Sequence, residues 1–184
     1  MLFAAQQFLE GGVWLTLDQD GGANSCFTVG FSAFAQVLWP LYAPFAVWLI
    51  VPDARRRMAI ALCWLAGAVV GLGLLYGLIR LPITALPVDG HIFYRSPHFD
   101  WLYNAGLFGP ASALYVIATC GSFMLAGDRR VKLIGAAMAA SFALSFLVFE
   151  TWLISVWCFF AAALSALILV CVYRAPVIPR VRTS

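Results

Sequence analysis

The sequence predicts an all-α protein, a polytopic transmembrane helix bundle with six spans. Three observations carry that prediction. Of 184 residues, 64% are hydrophobic and only 10% are charged, against roughly 45–50% and about 25% in soluble domains. The apolar runs are continuous rather than alternating, which excludes a β-barrel. The charges fall almost entirely between those runs. No water-soluble core of this size hides so much apolar surface. The 11 basic residues are scattered along an apolar chain, so there is no footprint for nucleic acid. No polar stretch is long enough for a second, soluble domain.

A bilayer core of about 30 Å asks for about 20 apolar residues per helix. The expected spans are residues 2–17, 26–51, 58–79, 101–126, 133–149 and 151–173, in one domain over 1–173. The first is short. The last two would overrun the bilayer as one helix, so the chain turns at Glu150-Thr151. Basic residues collect on the cytoplasmic side of a membrane. Arg55, Arg56 and Arg57, then Arg129, Arg130 and Lys132, then Arg174, Arg180 and Arg182 all fall on one side if the spans alternate. Only Arg80 and Arg95 fall on the other. This predicts a multi-pass protein of the bacterial inner membrane with both termini cytoplasmic and a basic tail over 174–184. The N-terminus lacks the basic region and cleavage site of a signal peptide.

Within the spans, Gly67, Gly71, Gly73 and Gly77 form a small-residue stripe. Such a stripe admits a neighbouring helix of the same chain or a second copy in an oligomer. Pro40 and Pro44 interrupt the second span; without N–H groups they free the carbonyls of Gln36 and Pro40. The expected result is a kink, with an ion site as the less plain alternative and Gln36 one turn away. The five cysteines have no metal-like or redox spacing and read as structural.

An ionisable group inside a span is a candidate site, and Glu10 is the clearest one. Gln6, Gln7, Glu10 and Trp14 share a helical face at 100° per residue. That cluster either binds a polar headgroup or relays protons, or only joins helices. The connection from Leu81 to Pro97 holds His91, Tyr94 and Arg95, with His98 just beyond it. Pro87, Gly90 and Pro97 suit an irregular surface segment rather than a zinc site, and a loop this long acts as a lid or folds back into a bundle mouth. Glu150 stands at the same outer side. The expected ligand-binding set is therefore Gln6, Gln7, Glu10, Trp14, His91, Tyr94 and Glu150. No metal or cofactor is expected. The single lysine, Lys132, lies outside the spans, which excludes a retinal Schiff base, and two loop histidines do not ligate an intramembrane haem. Nucleotide-binding and hydrolase motifs are missing.

Several strings recur together: Gln6-Gln7-Phe8-Leu9-Glu10-Gly11 with Trp14, Val37-Leu38-Trp39-Pro40 with Pro44, and Pro52-Asp53 before the three arginines. Further along stand Gly90-His91-Ile92 with Tyr94, Ala118-Thr119-Cys120-Gly121, and Ser155-Val156-Trp157-Cys158-Phe159-Phe160-Ala161. Their order resembles a bacterial family of uncharacterised multi-pass membrane proteins, a domain of unknown function, over nearly the whole chain. The resemblance implies one further helix ahead of the Gln-Gln-x-x-Glu segment, lacking here, and brings no activity. The expected function is binding or transport of a small ligand or lipid headgroup, with membrane lipids as partners. The alternatives are a lipid-modifying enzyme with Glu10 or His91 as acid/base, and a structural membrane subunit.

Overall fold

The computed structural model describes residues 2–18, 22–106, 108–149 and 152–173. The chain is mostly helical. Helix α1 is Leu2–Leu15. Helix α2 runs Gly22–Ile50 and contains a π-helical turn, Ala33–Leu38. Helix α3 is Ala54–Arg80. A hairpin of β1 (Thr84–Val88) and β2 (His91–Arg95) follows. Helix α4 is Pro97–Asn104. Helix α5 joins Phe108–Val116, a second π turn Ile117–Gly121, and Ser122–Leu125. Helices α6 (Arg129–Val148) and α7 (Leu153–Tyr173) complete the bundle.

Among the described residues, three helices are long and apolar enough to cross a membrane: Gly22–Ile50, Ala54–Arg80 and Arg129–Val148. The expected 20-residue run is not reached everywhere. Helix α1, with 14 residues, rises about 21 Å, short of the bilayer core. The shorter apolar helices are Gly109–Leu125 and Leu153–Ser165. The expected span 101–126 is not one helix. It breaks between α4 and α5, where Gly106 takes a left-handed φ of 68° that continues no right-handed helix.

The segment expected to be irregular is an antiparallel hairpin, with Val88 opposite His91 and Ala85 opposite Tyr94. Its turn is Asp89-Gly90, both at positive φ (49° and 78°). This is the two-residue turn whose twist matches paired strands. The expected return into the bundle mouth is present: Ile92, Tyr94, Ala85 and Ile83 bury against Val13, Phe31 and Cys158.

The two ends of the bundle differ. At one end, Val51, Ile60 and Ala126 share an apolar cluster, and Arg56 reaches the Gly127 turn. The basic segments 55–57 and 129–132 are thus neighbours. At the other end, Leu17, Leu78, the hairpin, Phe99 and Ile154 pack together. Asp53 and Asp128 start α3 and α6. The Asp53 carboxylate accepts from Arg56 N at 2.8 Å, and that of Asp128 from Arg130 N at 2.7 Å and Val131 N at 3.3 Å. Each satisfies N–H groups that the first helical turn leaves over. Asp128→Ala is expected to cost about 1 kcal/mol. Thermal unfolding of the purified protein would register this as a fall of about 2–4 °C.

The glycine stripe is used within the chain at three positions. A Cβ on Gly67 would fall on the Pro40 carbonyl, one on Gly71 would touch Pro40, and one on Gly77 would strike the His98 ring. Gly73 faces open space.

Candidate functional site

Gln6 and Glu10 lie four residues apart on α1, hence on one face, and that face points inward. Gln6 is 1% exposed and Glu10 7%. Trp39 Nε1 of α2 donates to Gln6 Oε1 at 2.5 Å, and the Phe3 ring stacks on the same indole at 4.2 Å. From α7, Ser155 Oγ donates to Glu10 Oε1 at 2.6 Å. Gln7 Nε2 reaches the Cys158 carbonyl at 3.4 Å. A carboxyl and two amides one turn apart thus join α1 to α2 and α7.

Tyr94, on β2, enters the same region. It is 4% exposed and stacks on Phe31 with centroids 4.8 Å apart. Burial raises its pKa above the ordinary value, and the nearby Glu10 charge adds to the rise, so the phenol is protonated and a donor. Among the described residues, neither its hydroxyl nor Gln6 Nε2, both buried, has a hydrogen-bond partner.

The other expected site residues are placed differently. Trp14 is 43% exposed and stands outside the cluster: the buried stripe of α1 is Gln6, Glu10, Gly12 and Val13. His91 and Tyr94 are both on β2, but strand side chains alternate. Ile92 and Tyr94 bury, while the His91 ring turns to Phe149 and Trp152, with centroids at 5.8 and 5.1 Å. His91 and Tyr94 therefore occupy opposite faces of the hairpin. Glu150 lies outside the described residues.

Behind this cluster, the two prolines act through the π turn. Trp39 N–H bonds the Phe34 carbonyl five residues back. In that register the N–H that Pro40 lacks would have served Ala35, not Gln36 as α-helical spacing predicts. The Tyr115 hydroxyl of α5 donates to the Ala35 carbonyl instead. Gln36 is therefore not needed to repair the break. It is 6% exposed, and its Nε2 has no partner among the described residues.

Residue reading alone missed Ser155, Trp39 and Tyr115 as partners. Their sequence separations from Glu10, Gln6 and Ala35 are 145, 33 and 80 residues, and no local spacing encodes such pairs. The hairpin did have a signal, Asp-Gly between β-prone residues.

A family model described as "Family of unknown function (DUF6629)" matches residues 1–183. No curated protein and no solved structure matches the chain.

Proposed function

The chain belongs to that family of unknown function, and from the chemistry of its buried cluster we propose that it binds a small ligand or lipid headgroup. In this reading it is a multi-pass protein of a bacterial inner membrane, crossing six times with both termini cytoplasmic. The clustering of the two basic segments at one end supports that orientation. In this reading the ligand enters from the outer side, beneath the hairpin, to meet Gln6, Gln7, Glu10 and Tyr94, with His91 on the hairpin's opposite face.

One observation carries the binding reading. A polar network that only joins helices satisfies its own members. Among the described residues, this one leaves the Gln6 amide nitrogen and the Tyr94 hydroxyl buried and unpaired beside a carboxyl whose hydrogen-bond partners are Ser155 and Gln7. Unmet donors around an acceptor are what a ligand with polar atoms of both kinds would complete.

The test separates binding from helix joining. Wild type and Glu10→Leu are reconstituted in nanodiscs of defined phospholipids, and thermal unfolding is followed against a panel of headgroups and small polar solutes. Under the binding reading at least one compound raises the wild-type transition by several degrees. The variant loses that shift while its own transition stays level or rises, because a buried carboxyl is replaced by an apolar side chain. Loss of folding in Glu10→Leu, with no compound shifting the wild type, would make the cluster a structural joint.

A further inference from the structure

An open groove of about 600 Å³ lies where α3 meets α4 and α5. Its walls include Val69, Gly73 and Tyr76 of α3, His98 and Trp101 of α4, and Ala111 of α5. Gly73 notches the α3 wall, and a side chain there would meet nothing within 4 Å. No Asp, Glu, Lys or Arg lines the groove, and it shares none of its residues with the Glu10 cluster.

The groove is about as long as one leaflet is deep. From Val69 to Arg80, where α3 ends, the helix rises about 17 Å, and half of a bilayer core is about 15 Å. At the Arg80 end Tyr76 is 64% exposed and Trp101 59%. Exposed Tyr and Trp of this kind sit at the level of lipid headgroups.

Charge at that end is one-sided. The Arg80 guanidinium lies over the Tyr76 ring, 5.7 Å from its centroid, and Leu81, next in the chain, lines the groove. Arg80 is exposed. Among the described residues the one ion pair is Arg56 with Asp53, at the far end of α3, so no described carboxylate pairs with Arg80. The carboxylate of α4, Asp100, is turned away. At 100° per residue His98, Trp101 and Leu102 share the groove face of α4, and Asp100 stands on the opposite one.

An apolar surface in a membrane has no hydrophobic reason to prefer one lipid over another. What selects a lipid here is the headgroup, because a guanidinium with a free N–H fork makes charge-assisted bonds to a phosphate. A zwitterionic headgroup brings its own cation to the same place and gains less. We infer that the groove holds an acyl chain of an anionic phospholipid, with the chain lying over Gly73 and the phosphate on Arg80.

The test titrates the full-length protein in detergent micelles with an equal mixture of palmitoyl-oleoyl phosphatidylglycerol and phosphatidylcholine, and bound lipid is counted by native mass spectrometry. The expected result is a saturable lipid adduct that favours phosphatidylglycerol by about fivefold, the worth of one basic residue near an anionic surface. Arg80→Gln removes that preference, and Arg55→Gln, at the other end of α3, keeps it. Gly73→Phe fills the groove and loses the adduct of both lipids, while circular dichroism and thermal unfolding confirm its fold. Glu10→Leu keeps the adduct, so the groove and the Glu10 cluster stand or fall separately. Adducts of both lipids in equal amounts report an unselective lipid shell and overturn the inference. A preference that survives Arg80→Gln overturns it too, because the headgroup is then read elsewhere. So does a lipid-free dimer that Gly73→Phe dissociates, which would assign the groove to a second copy of the chain.

Discussion

Gly67→Ala is expected to destabilise the protein by about 3 kcal/mol, the upper part of the range for overpacking a tight contact. Pro44 has no N–H to offer the Pro40 carbonyl four residues back, and that freed carbonyl points at Gly67 of α3. The new methyl would land on it, with the Ala118 side chain 3.0 Å away on the other side. A backbone oxygen cannot swing aside as a side-chain tip does, so α2 and α3 must separate. The control is Gly73→Ala on the same helix, where nothing lies within 4 Å. That change is expected to leave stability within about 0.5 kcal/mol, as substitutions away from contacts do. Thermal unfolding of the two variants side by side decides it. Equal transitions would show that the Pro40–Gly67 approach does not hold the helices together.

The second large effect is at Tyr115. Its hydroxyl serves the Ala35 carbonyl that the π turn and Pro40 leave unpaired. Tyr115→Phe keeps the ring and strands a buried backbone acceptor, at about 1–3 kcal/mol. The mechanism makes a sharper claim in a double-mutant cycle. Pro40→Ala restores an N–H in the register that already joins Trp39 to Phe34, so it supplies Ala35 from within the helix. In that background the penalty of Tyr115→Phe should shrink by about 1 kcal/mol, a coupling expected of residues that share one partner. Additive penalties would show that the hydroxyl serves some other purpose.

Periodic and compositional features were legible in the residues themselves. The ends of α2, α3, α6 and α7 fall within a few residues of the expected runs, because an apolar helix is written in consecutive residues. The inward turn of Gln6 and Glu10 followed from their four-residue spacing. Trp14 did not obey the same rule: it lies at the edge of the stripe, and the neighbours of α1 decide how wide the buried face is. The break at Gly106 was hidden inside an apolar run, since hydropathy says nothing about φ. The hairpin was missed although Asp89-Gly90 announced it, because prolines on either side argued for irregular chain. Gln36 was placed next to the break, but the carbonyl that Pro40 leaves free is that of Ala35, since α-helical counting does not foresee a π register.

By itself the sequence determined that this chain is helical, apolar and asymmetric in charge, and that Glu10 with its two glutamines is the polar exception on the first helix. Each of these properties is local: it depends on residue type and on spacings of a few positions. Only the tertiary structure decided which groups meet. It set Ser155 on Glu10, Trp39 on Gln6, Tyr115 on Ala35 and Gly67 under Pro40, and it left Gln6, Tyr94 and Gln36 with donors that no described residue takes. Whether a buried polar group is satisfied depends on atoms distant in the chain, and their approach is governed by the packing of whole helices.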